Sequence, residues 1–483
     1  MASNGIPPVD FSKFFNVIDG KLESTEKTLR PLNPSTLEEN PPVPLSTQQD
    51  VDRAVAAAKK AQEAWREVPW AERADILRKI GDAVAANLDE LAKLVTKENG
   101  KPLMFAKIEM AAGADNFHKI ANFTIPENVV DADPEHTVIT RYTPIGVAVG
   151  IVPWNFPVAL GTGKIAPALL TGNAIIIKPS PFTPYSALKI VEIAQPFLPP
   201  GVLQVLSGDD SLGPILTEHE GIDKISFTGS TATGKAVMRS ASKTLKRVTL
   251  ELGGNDPAIV CPDVDPAEVG PKLATFALLN SGQICVAIKR MYIHESVYDA
   301  VLKAMVDYVN TLKVGDGFEE NVFLGPIANG PQFERVKNLL EDIQSTKLKI
   351  ATGGTAAHNG SGKGYFVTPT IIDNPPEDSR IVADEPFAPI FPTLKWSDEA
   401  DVIRRANDSI YGLGASVWTN DTTQAKRIAS KLQAGNVWIN EHANLSPTSA
   451  FGGHKHSGIG TEWGIEGVKG WCNTQTIYHK ARP

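Results

Sequence analysis

The chain has 483 residues, which is long enough for two or three domains with substantial cores. Its composition, 42% hydrophobic and 21% charged, is that of an ordinary globular protein. A net charge of −8 and the lack of Lys/Arg runs argue against a nucleic-acid partner, because phosphate backbones are bound by basic surfaces.

The cysteine content and the N-terminus bear on location. Three cysteines are too few for a disulfide scaffold, and free thiols are typical of a reducing compartment. Residues 1–8 lack the basic and apolar regions of a secretory signal. The most apolar stretch, residues 146–161, is interrupted by Pro153 and Pro157, so it is not predicted to span a membrane. We therefore expect a cytoplasmic protein without a membrane partner.

Along the first half of the chain, a helical region is followed by alternating patterns. Residues 24–47 are rich in Pro, Ser and Thr and indicate an extended arm. Apolar residues recur at helical spacing over residues 48–97, which predicts two amphipathic helices. Short β-rich runs then alternate with helical patterns, as is typical of parallel β-α-β units. These runs are residues 146–152, 174–178, 201–206 and 224–227.

A second alternating set begins near Arg247. Its β-rich runs are residues 257–260, 290–294 and 415–418. The sequence therefore predicts an α/β fold with two open parallel-sheet domains and with Glu251 at their junction, where ligands usually bind. Thr-rich patches within residues 123–145 and 471–483 fit neither set, and we expect them to form edge strands for subunit pairing.

A glycine turn follows the last strand of the first set. The strand ends at Thr228 in a turn rich in hydroxyl groups, and a helical pattern begins near Gly234. Exposed N–H groups at a helix start favour an anion such as a pyrophosphate. The spacing Gly229-x-x-x-x-Gly234-Lys235 imitates a P-loop, but Ala236 stands where a Mg²⁺-binding Ser or Thr would be. The residues alone leave open whether this is a phosphate site or a structural β-α turn.

Other reactive residues have plain structural interpretations. Lys178 at a strand end is placed to contact ribose or phosphate, or else is a solvated lysine beside a proline turn. Cys261 and Cys472 are interpreted as core residues. His454 and His456 lie two residues apart in a Gly-rich loop without further ligands at metal spacing, so no metal site is predicted.

Three residues together carry the chemistry. Cys285 follows a flexible, polar run, residues 281–283. Glu251 lies beside two glycines, and Asn155 sits between two aromatic residues in a proline-bounded turn. They supply a thiol nucleophile, a carboxylate base and an amide donor, which is the equipment for attacking a carbonyl and hydrolysing a thioester.

These segments resemble the aldehyde dehydrogenase superfamily, and the resemblance covers the chain from about residue 30 to residue 480. Its specificity comes from the combination of motifs rather than from any one of them. Further matching motifs are Gly325-Pro326, Glu385-Pro386-Phe387, Gly412-Leu413-Gly414, residues 435–440 and residues 451–458. The resemblance implies an NAD(P)-dependent, non-CoA-acylating enzyme that oxidises an aldehyde to a carboxylic acid.

The resemblance also implies catalytic roles. Cys285 corresponds to the nucleophile, and Glu251 to the general base that activates water. Asn155 corresponds to the oxyanion-hole amide, which acts with the backbone N–H of Cys285. Lys164 and Glu462 correspond to residues that support removal of the proton from the base.

For the cofactor, the resemblance places Glu385 on the nicotinamide ribose and Phe387 beside the ring. Other positions that match cofactor-contacting residues are Trp154, Lys178, Gly229, Ser230, Gly234 and Leu252. Pro181 stands where NAD-preferring members often carry an acidic residue that holds the 2′-hydroxyl. The expected cofactor is therefore NAD or NADP.

For the substrate, the matching pocket positions are Phe156, Leu160, Ile284, Val286 and Phe451. They indicate an apolar aldehyde, aliphatic or aromatic. Gly163 replaces what is often a bulky pocket residue, from which we expect room for a larger substrate. No arginine in the matched positions would clamp a second carboxylate.

The implied architecture divides the chain into three parts. Residues 1–122 and 146–252 form the NAD(P)-binding domain, residues 253–452 form the catalytic domain, and residues 123–145 and 471–483 form a bridging segment. A homodimer or homotetramer is expected.

Two alternatives to this interpretation stay open. A CoA-acylating relative would resolve the thioester with CoA, although such members tend to lack the base that Glu251 provides. A structural or binding homologue would keep the fold without activity, and the intact set of site residues argues against it.

Overall fold

The computed structural model describes residues 9–356 and 363–480. Residues 1–8, on which the leader prediction and part of the predicted cofactor domain fall, lie outside the described residues, as do residues 481–483 of the predicted bridging segment. Strands and helices are numbered in chain order. The helices are α1 (Gln48–Trp65), α2 (Trp70–Ala86), α3 (Leu88–Asn99), α4 (Leu103–Ile120), α5 (Pro157–Leu170), α6 (Tyr185–Ala194), α7 (Leu212–Glu218), α8 (Thr231–Ala241), α9 (Pro266–Leu278), α10 (Tyr298–Val309), α11 (Gly330–Ser345), α12 (Arg380–Ala383), α13 (Glu399–Asn407), α14 (Thr422–Ala429) and α15 (Gly464–Lys469).

The strands form two large sheets and smaller ones. They are β1 (Asn16–Ile18), β2 (Lys21–Glu23), β3 (Thr28–Leu29), β4 (Val43–Pro44), β5 (Asn128–Ala132), β6 (His136–Pro144), β7 (Val147–Ile151), β8 (Ala174–Lys178), β9 (Leu203–Val205), β10 (Lys224–Thr228), β11 (Arg247–Glu251), β12 (Asp256–Val260), β13 (Ile288–His294), β14 (Lys313–Val314), β15 (Val322–Leu324), β16 (Ile350–Thr352), β17 (Thr370–Asp373), β18 (Ile390–Trp396), β19 (Gly414–Trp418), β20 (Asn436–Ile439), β21 (Gly458–Ile459) and β22 (Cys472–Lys480).

The first sheet has the spatial order β2-β1-β9-β8-β7-β10-β11-β21. Its central strands, from β9 to β11, run parallel. In β8, Ile175 and Ile177 face one apolar cluster while Ala174 and Ile176 face another, so helices cover both faces of the sheet. A strand buried on both faces has to be apolar at every position, which is why its sequence shows a continuous run.

The second sheet has the order β16-β17-β18-β13-β12-β19-β20, and only β16 is antiparallel to its neighbour. Within β12, Ile259 packs on one side while Ala258 and Val260 pack on the other. The two open, mostly parallel sheets confirm the predicted α/β fold class. In each sheet the strand order reverses once along the chain, and such reversals create ligand clefts at strand ends.

Two details of the predicted elements are wrong. The strand at Arg247 does not open the second set, because β11 pairs with β10 and brings Glu251 beside Thr228 in the first sheet. Strand polarity and partner are not encoded in a local apolar pattern. Residues 48–97 form three helices rather than two, because the chain leaves the helical conformation at Asn87 (φ −106°, ψ 15°).

A third, smaller sheet is formed by β5, β6 and β22, with β6 in the centre. Its antiparallel strands come from the two Thr-rich segments, which were predicted to form edge strands for subunit pairing and which pair with each other within one chain. The sheet is largely open to solvent, and Val129, Val130 and Tyr478 are exposed apolar side chains on it. The division of the chain into three functional parts stays a prediction. Within residues 9–356 and 363–480, no helix is long and apolar enough to cross a membrane.

Candidate active site

A cleft of about 430 Å³ opens where the strand ends of the first sheet meet the second sheet. It is reached by the loops that follow β7 and β10, the two strands between which the order of the first sheet reverses. The predicted site residues on its walls are Trp154, Asn155, Gly229, Ser230, Leu252, Cys285, Glu385 and Phe387. The structure therefore brings the predicted nucleophile, amide donor and cofactor contacts to one cavity.

The loop before the nucleophile is held in an unusual conformation. Asn280, Ser281 and Gly282 have φ angles of 53°, 57° and 69°, so three consecutive residues are left-handed. The Ser281 hydroxyl donates to the Gly325 carbonyl at 2.8 Å. A side chain at Gly282 would collide with the Ala388 carbonyl, which explains the glycine at this position. Packing therefore fixes the path of the chain into Cys285.

Cys285 is half-buried on the wall of the cleft. Burial raises the pKa of its thiol to about 12, and the ammonium of Lys289 is the strongest influence in the opposite direction. The Lys289 Nζ also donates to the Cys285 carbonyl at 2.5 Å. Burial therefore favours the neutral thiol, and the nearby positive charge of Lys289 favours the thiolate.

Asn155 is buried and held on both sides. Its Nδ2 donates to the Gln283 carbonyl at 3.0 Å, and its own backbone carbonyl accepts from Lys101 Nζ at 3.0 Å. Lys101 forms a buried ion pair with Glu109, whose other oxygen accepts from the Val158 N–H at 2.9 Å. An amide group has two N–H donors, so one remains for a ligand in the cleft.

Glu251, at the end of β11, is buried behind the cleft rather than on its wall. Neither of its carboxylate oxygens has a hydrogen-bond partner among the described residues. Burial, and then the neighbouring Glu462, raise the pKa of Glu251 well above its ordinary value, while Lys164 opposes them. The Lys164 Nζ donates to Ser226 Oγ and Thr228 Oγ1 at 2.9 Å each and pairs with Glu462 at 3.0 Å. The predicted base thus lies beside the two residues predicted to support it.

The cofactor side of the cleft combines aromatic and hydroxyl groups. The rings of Trp154 and Phe387 meet edge to face with centroids 5.3 Å apart. Ser230 caps α8, and its Oγ accepts from the Thr233 N–H at 3.2 Å. The helix begins at Thr231, earlier than the expected start near Gly234, because this capping serine provides the first turn with an acceptor.

Two predicted cofactor residues do not line the cleft. Gly234 lies behind it, where a side chain would strike Leu252, so its role in this structure is to let Leu252 pack closely. Lys178 is buried at the end of β8, and burial lowers its pKa to about 8 against the opposing charges of Asp210 and Asp209. The nearest hydrogen-bond acceptor of its Nζ is the Pro179 carbonyl at 3.3 Å.

The remaining cleft residues fit a dinucleotide. Glu385 Oε1 accepts from the Gly254 N–H at 3.2 Å, and no described residue donates a hydrogen bond to Oε2. The carboxylate lies against Gly253, where any side chain would collide with it. A free acceptor beside a bare backbone suits ribose hydroxyls, and the start of α8 suits a pyrophosphate.

An apolar cluster surrounds the other side of Cys285. The predicted pocket residues Phe156, Leu160, Ile284, Val286 and Phe451 all belong to it, together with Trp438 and Trp463. A neighbouring cavity of about 280 Å³ is bordered by Trp438, Phe451 and Trp463. These side chains form an apolar path beside the nucleophile.

The expectation of extra room at Gly163 is wrong. A Cβ built on Gly163 would lie 2.6 Å from the indole Nε1 of Trp463. Trp463 stacks at a tilt on Phe451, with ring centroids 5.5 Å apart. The space that Gly163 leaves is therefore filled by an aromatic ring from a distant part of the chain, which the sequence alone does not reveal.

Several residues that shape the site were missed by the sequence analysis. Arg335 and Arg380 bring positive charge to the cleft from α11 and α12, and Gln332 donates to the Phe387 carbonyl at 3.1 Å. Lys289 and Trp463 also went unnoticed. Each is an ordinary residue in its local pattern, and only its tertiary partners mark it.

The histidines do not form a metal site. In the described part of the chain, no group of three or more His, Cys, Asp or Glu side chains could hold a metal ion. His442 is buried with its Nε2 2.7 Å from the Val286 carbonyl, so it supports the backbone next to the nucleophile. Cys261 is buried, as expected, and Cys472 is half-buried.

The fold and this cleft are those of an α/β enzyme of the dehydrogenase type, and comparisons with known proteins agree. The sequence model of the aldehyde dehydrogenase family matches residues 21–477. A putative aldehyde dehydrogenase of Gibberella fujikuroi, FUS7, is 41% identical over 470 residues, which cover 97% of this chain and 99% of the relative. The phenylacetaldehyde dehydrogenase of Pseudomonas fluorescens is 37% identical over 467 residues, covering 94% and 93%.

Solved structures give the same result. The NAD⁺ complex of the aldehyde dehydrogenase from Bacillus cereus matches with a TM-score of 0.95 and 35% identity, covering 97% of each chain. The chain belongs to the aldehyde dehydrogenase family, a family of oxidoreductases. The resemblance that the sequence motifs indicated is thus confirmed.

Proposed function

We propose that this enzyme oxidises an apolar aldehyde to the carboxylic acid through a covalent adduct on Cys285, with transfer of a hydride to NAD or NADP. The observation that carries the proposal is the position of the Cys285 thiol on the same cleft as the Asn155 amide and the Glu385 carboxylate. The NAD⁺ complex of the related Bacillus cereus enzyme supports the cofactor.

Residues on both sheets would hold the cofactor. Ser230 and the N-terminus of α8 face the pyrophosphate, Glu385 takes the ribose hydroxyls, and Trp154 and Phe387 pack beside the ring. When bound, the oxidised nicotinamide accepts the hydride that leaves the substrate carbon. Because residue 181 is a proline, it provides no carboxylate to contact the 2′-hydroxyl of the cofactor ribose. NAD and NADP therefore both fit the proposal.

The first chemical step belongs to Cys285. Its thiolate attacks the aldehyde carbon, and the oxyanion is stabilised by Asn155 Nδ2 and by the Cys285 N–H, which has no hydrogen bond within the described residues. Loss of hydride turns the thiohemiacetal into a thioester. Glu251 then removes a proton from water, the resulting hydroxide attacks the thioester, and the acid leaves with return of the thiol.

Glu462 would receive the proton from Glu251, and the Lys164 ammonium would stabilise the carboxylates on either side of the transfer. The Lys164 ammonium joins Ser226, Thr228 and Glu462 in one buried network beside the base. These groups hydrogen-bond each other but not Glu251 in this structure, so the proposed transfer requires the Glu251 side chain to move into contact with them. Without this transfer, the buried carboxyl would stay protonated after one turnover.

We also propose that the exposed apolar side chains on β5 and β22 pair with another copy, giving a homodimer or homotetramer. A sheet with open edges is suited to such pairing. A cytoplasmic location is proposed from the three free cysteines, which fit a reducing compartment.

The covalent step is tested by trapping it. Glu251→Gln keeps the shape of the base but cannot accept a proton, so the thioester should accumulate when aldehyde and NAD(P)⁺ are added. Intact-mass spectrometry should show a gain equal to the acyl group, located on the Cys285 peptide. Cys285→Ala/Glu251→Gln, the matched control, should gain no mass. Full oxidation rates in Cys285→Ala would contradict the proposal, and product that forms only with added CoA would assign the enzyme to the CoA-acylating type.

The pH dependence of turnover should reveal the pKa of the proposed base, Glu251. Glu251 acts only as a carboxylate, so hydrolysis stops as the pH falls through its raised pKa and should increase as the pH rises through it. We expect kcat to fall about tenfold per pH unit on the acid side, with a midpoint well above the ordinary glutamate value of 4.5. Glu462→Gln removes the neighbouring negative charge and should lower that midpoint. A midpoint at the ordinary value in the wild type would exclude Glu251 as the titrating base.

The oxyanion donor can be measured separately. Asn155→Ala should slow turnover roughly a hundredfold or more, since one such donor contributes about 3–4 kcal/mol in the transition state. The Kd for NAD(P)⁺, measured by fluorescence titration, should stay near the wild-type value because the missing group does not face the cofactor. Unchanged kcat in this variant would remove Asn155 from the mechanism.

The proposed role of the apolar path in substrate binding can be tested at Trp463 and Gly163. Trp463→Ala should raise kcat/KM for bulky aryl aldehydes and lower it for short aliphatic ones, because it removes an indole from the apolar path. Gly163→Ala should impair the wild type, where the new methyl meets the indole, but should be tolerated in Trp463→Ala. Additive effects of the two substitutions would show that the two residues do not share this space.

A further inference from the structure

Lys289 is a buried cation placed between the nucleophile and the cofactor carboxylate. Lys289 lies in β13, four residues after Cys285, and its side chain is 3% exposed. Its Nζ donates to the Cys285 carbonyl at 2.5 Å and pairs with Glu385 Oε1 at 3.0 Å. The ring of Phe387 lies 5.8 Å from the same nitrogen. One ammonium group thus touches two loops that meet only in the folded chain.

The burial of this lysine is explained by the groups that its ammonium contacts. Removing an ammonium from water is costly unless it is paired, and its partners here are a carbonyl and a carboxylate. The next residue, Arg290, points to the other side of the strand and donates to the Asn255 carbonyl at 2.9 Å. Lys289 is therefore the cation that β13 directs at the cleft.

The contact determines how Glu385 is presented. Lys289 and the Gly254 N–H both engage Oε1, and no residue in the described part of the chain donates a hydrogen bond to Oε2. We propose that Lys289 is a positioning residue that fixes the Glu385 carboxylate relative to Cys285. The ribose of the cofactor is then held at a fixed position relative to the thiol. This inference rests on the proposed function, because it assigns Glu385 to the ribose.

The charged groups around Cys285 indicate that Lys289 also affects the ionisation of the Cys285 thiol. Glu385, Asp256 from β12 and Glu251 from β11 all favour the neutral thiol, and Lys289 favours the thiolate. With Lys289 removed, only the three carboxylates of this set would remain. The thiolate population should then fall, and the pKa of the Glu385 carboxyl, already raised by burial, should rise further.

Alkylation of the cofactor-free enzyme by iodoacetamide measures this effect directly, because only the thiolate reacts. We expect Lys289→Met to slow alkylation of Cys285 at fixed pH by about tenfold or more, the size expected for a shift of one pKa unit. Lys289→Arg should stay close to the wild type, because it keeps the charge. Lys289→Met/Glu385→Gln, which also removes one of the three opposing carboxylates, should recover part of the rate. Peptide mass spectrometry assigns the reacting cysteine.

Lys189 provides the matched control. It is also a buried lysine, paired with Glu192 at 2.5 Å, but it lies on α6 away from the cleft. Lys189→Met should leave the alkylation profile unchanged even where it lowers the melting temperature. The KM for NAD(P)⁺ should rise in Lys289→Met more than kcat falls, and it should return towards the wild-type value in Lys289→Arg.

The inference would be overturned by a Lys289→Met profile that matches the wild type in a folded protein. It would also be overturned if Lys189→Met lost reactivity to the same extent, which would indicate a purely structural effect. If Lys289→Met does not fold, the double variant and Lys289→Arg still decide the question. Failure of the proposed function has a separate signature, namely retained oxidation after complete alkylation of Cys285.

Discussion

Burial of charge where the two sheets meet is the constraint on which the chemistry of this enzyme depends. Burial raises the pKa of Cys285, Glu251 and Glu385, because a low-dielectric environment disfavours their charged forms. Each of these groups has a buried lysine nearby, Lys289 or Lys164, which opposes the shift. The reactivity of the site is therefore determined by how closely cations approach groups that would otherwise stay neutral.

The geometry around these charges is rigid. Three consecutive left-handed residues lead into Cys285, and the glycine among them fits only because it lacks a side chain. On the other side of the cleft, the Lys101–Glu109 pair holds the backbone of Asn155 and the start of α5. Donors that are fixed before the substrate arrives need no reorganisation during the reaction, which is the main source of electrostatic catalysis.

The sequence predicted those parts of the fold that a local pattern can encode. The strand at residues 174–178 was predicted with its bounds, because a doubly covered parallel strand is a continuous apolar run between turns. The strand at Arg247 was assigned to the wrong set, since nothing in its residues names its neighbour. The two-residue strand β21 is too short for any periodicity, although it completes the first sheet beside Glu251.

The site shows the same division. Cys285, Glu251 and Asn155 could be predicted as site residues because their residue types and order match a known chemistry. Lys289 could not, because its partner Glu385 is distant in the sequence and a lysine near a strand start is unremarkable. Trp463 and Gly163 illustrate the point most clearly, since a small residue predicted space that an aromatic ring from elsewhere occupies. Side chains that act through tertiary partners can be identified only when the structure is known.

The position of Glu251 separates the two halves of the reaction. Its carboxylate lies with Lys164 and Glu462 behind the cleft, so it does not occupy the volume beside Cys285 while the hydride departs. A carboxylate closer to the thiol than Glu251 would oppose formation of the thiolate more strongly than Glu251 does. The proposed hydrolysis requires the carboxylate to turn towards the thioester, and the hydrogen-bonded network of Lys164, Ser226 and Thr228 lies close to the position to which it returns. In the proposed mechanism, attack of the Cys285 thiolate on the aldehyde and activation of water by Glu251 therefore use different arrangements of the Glu251 side chain.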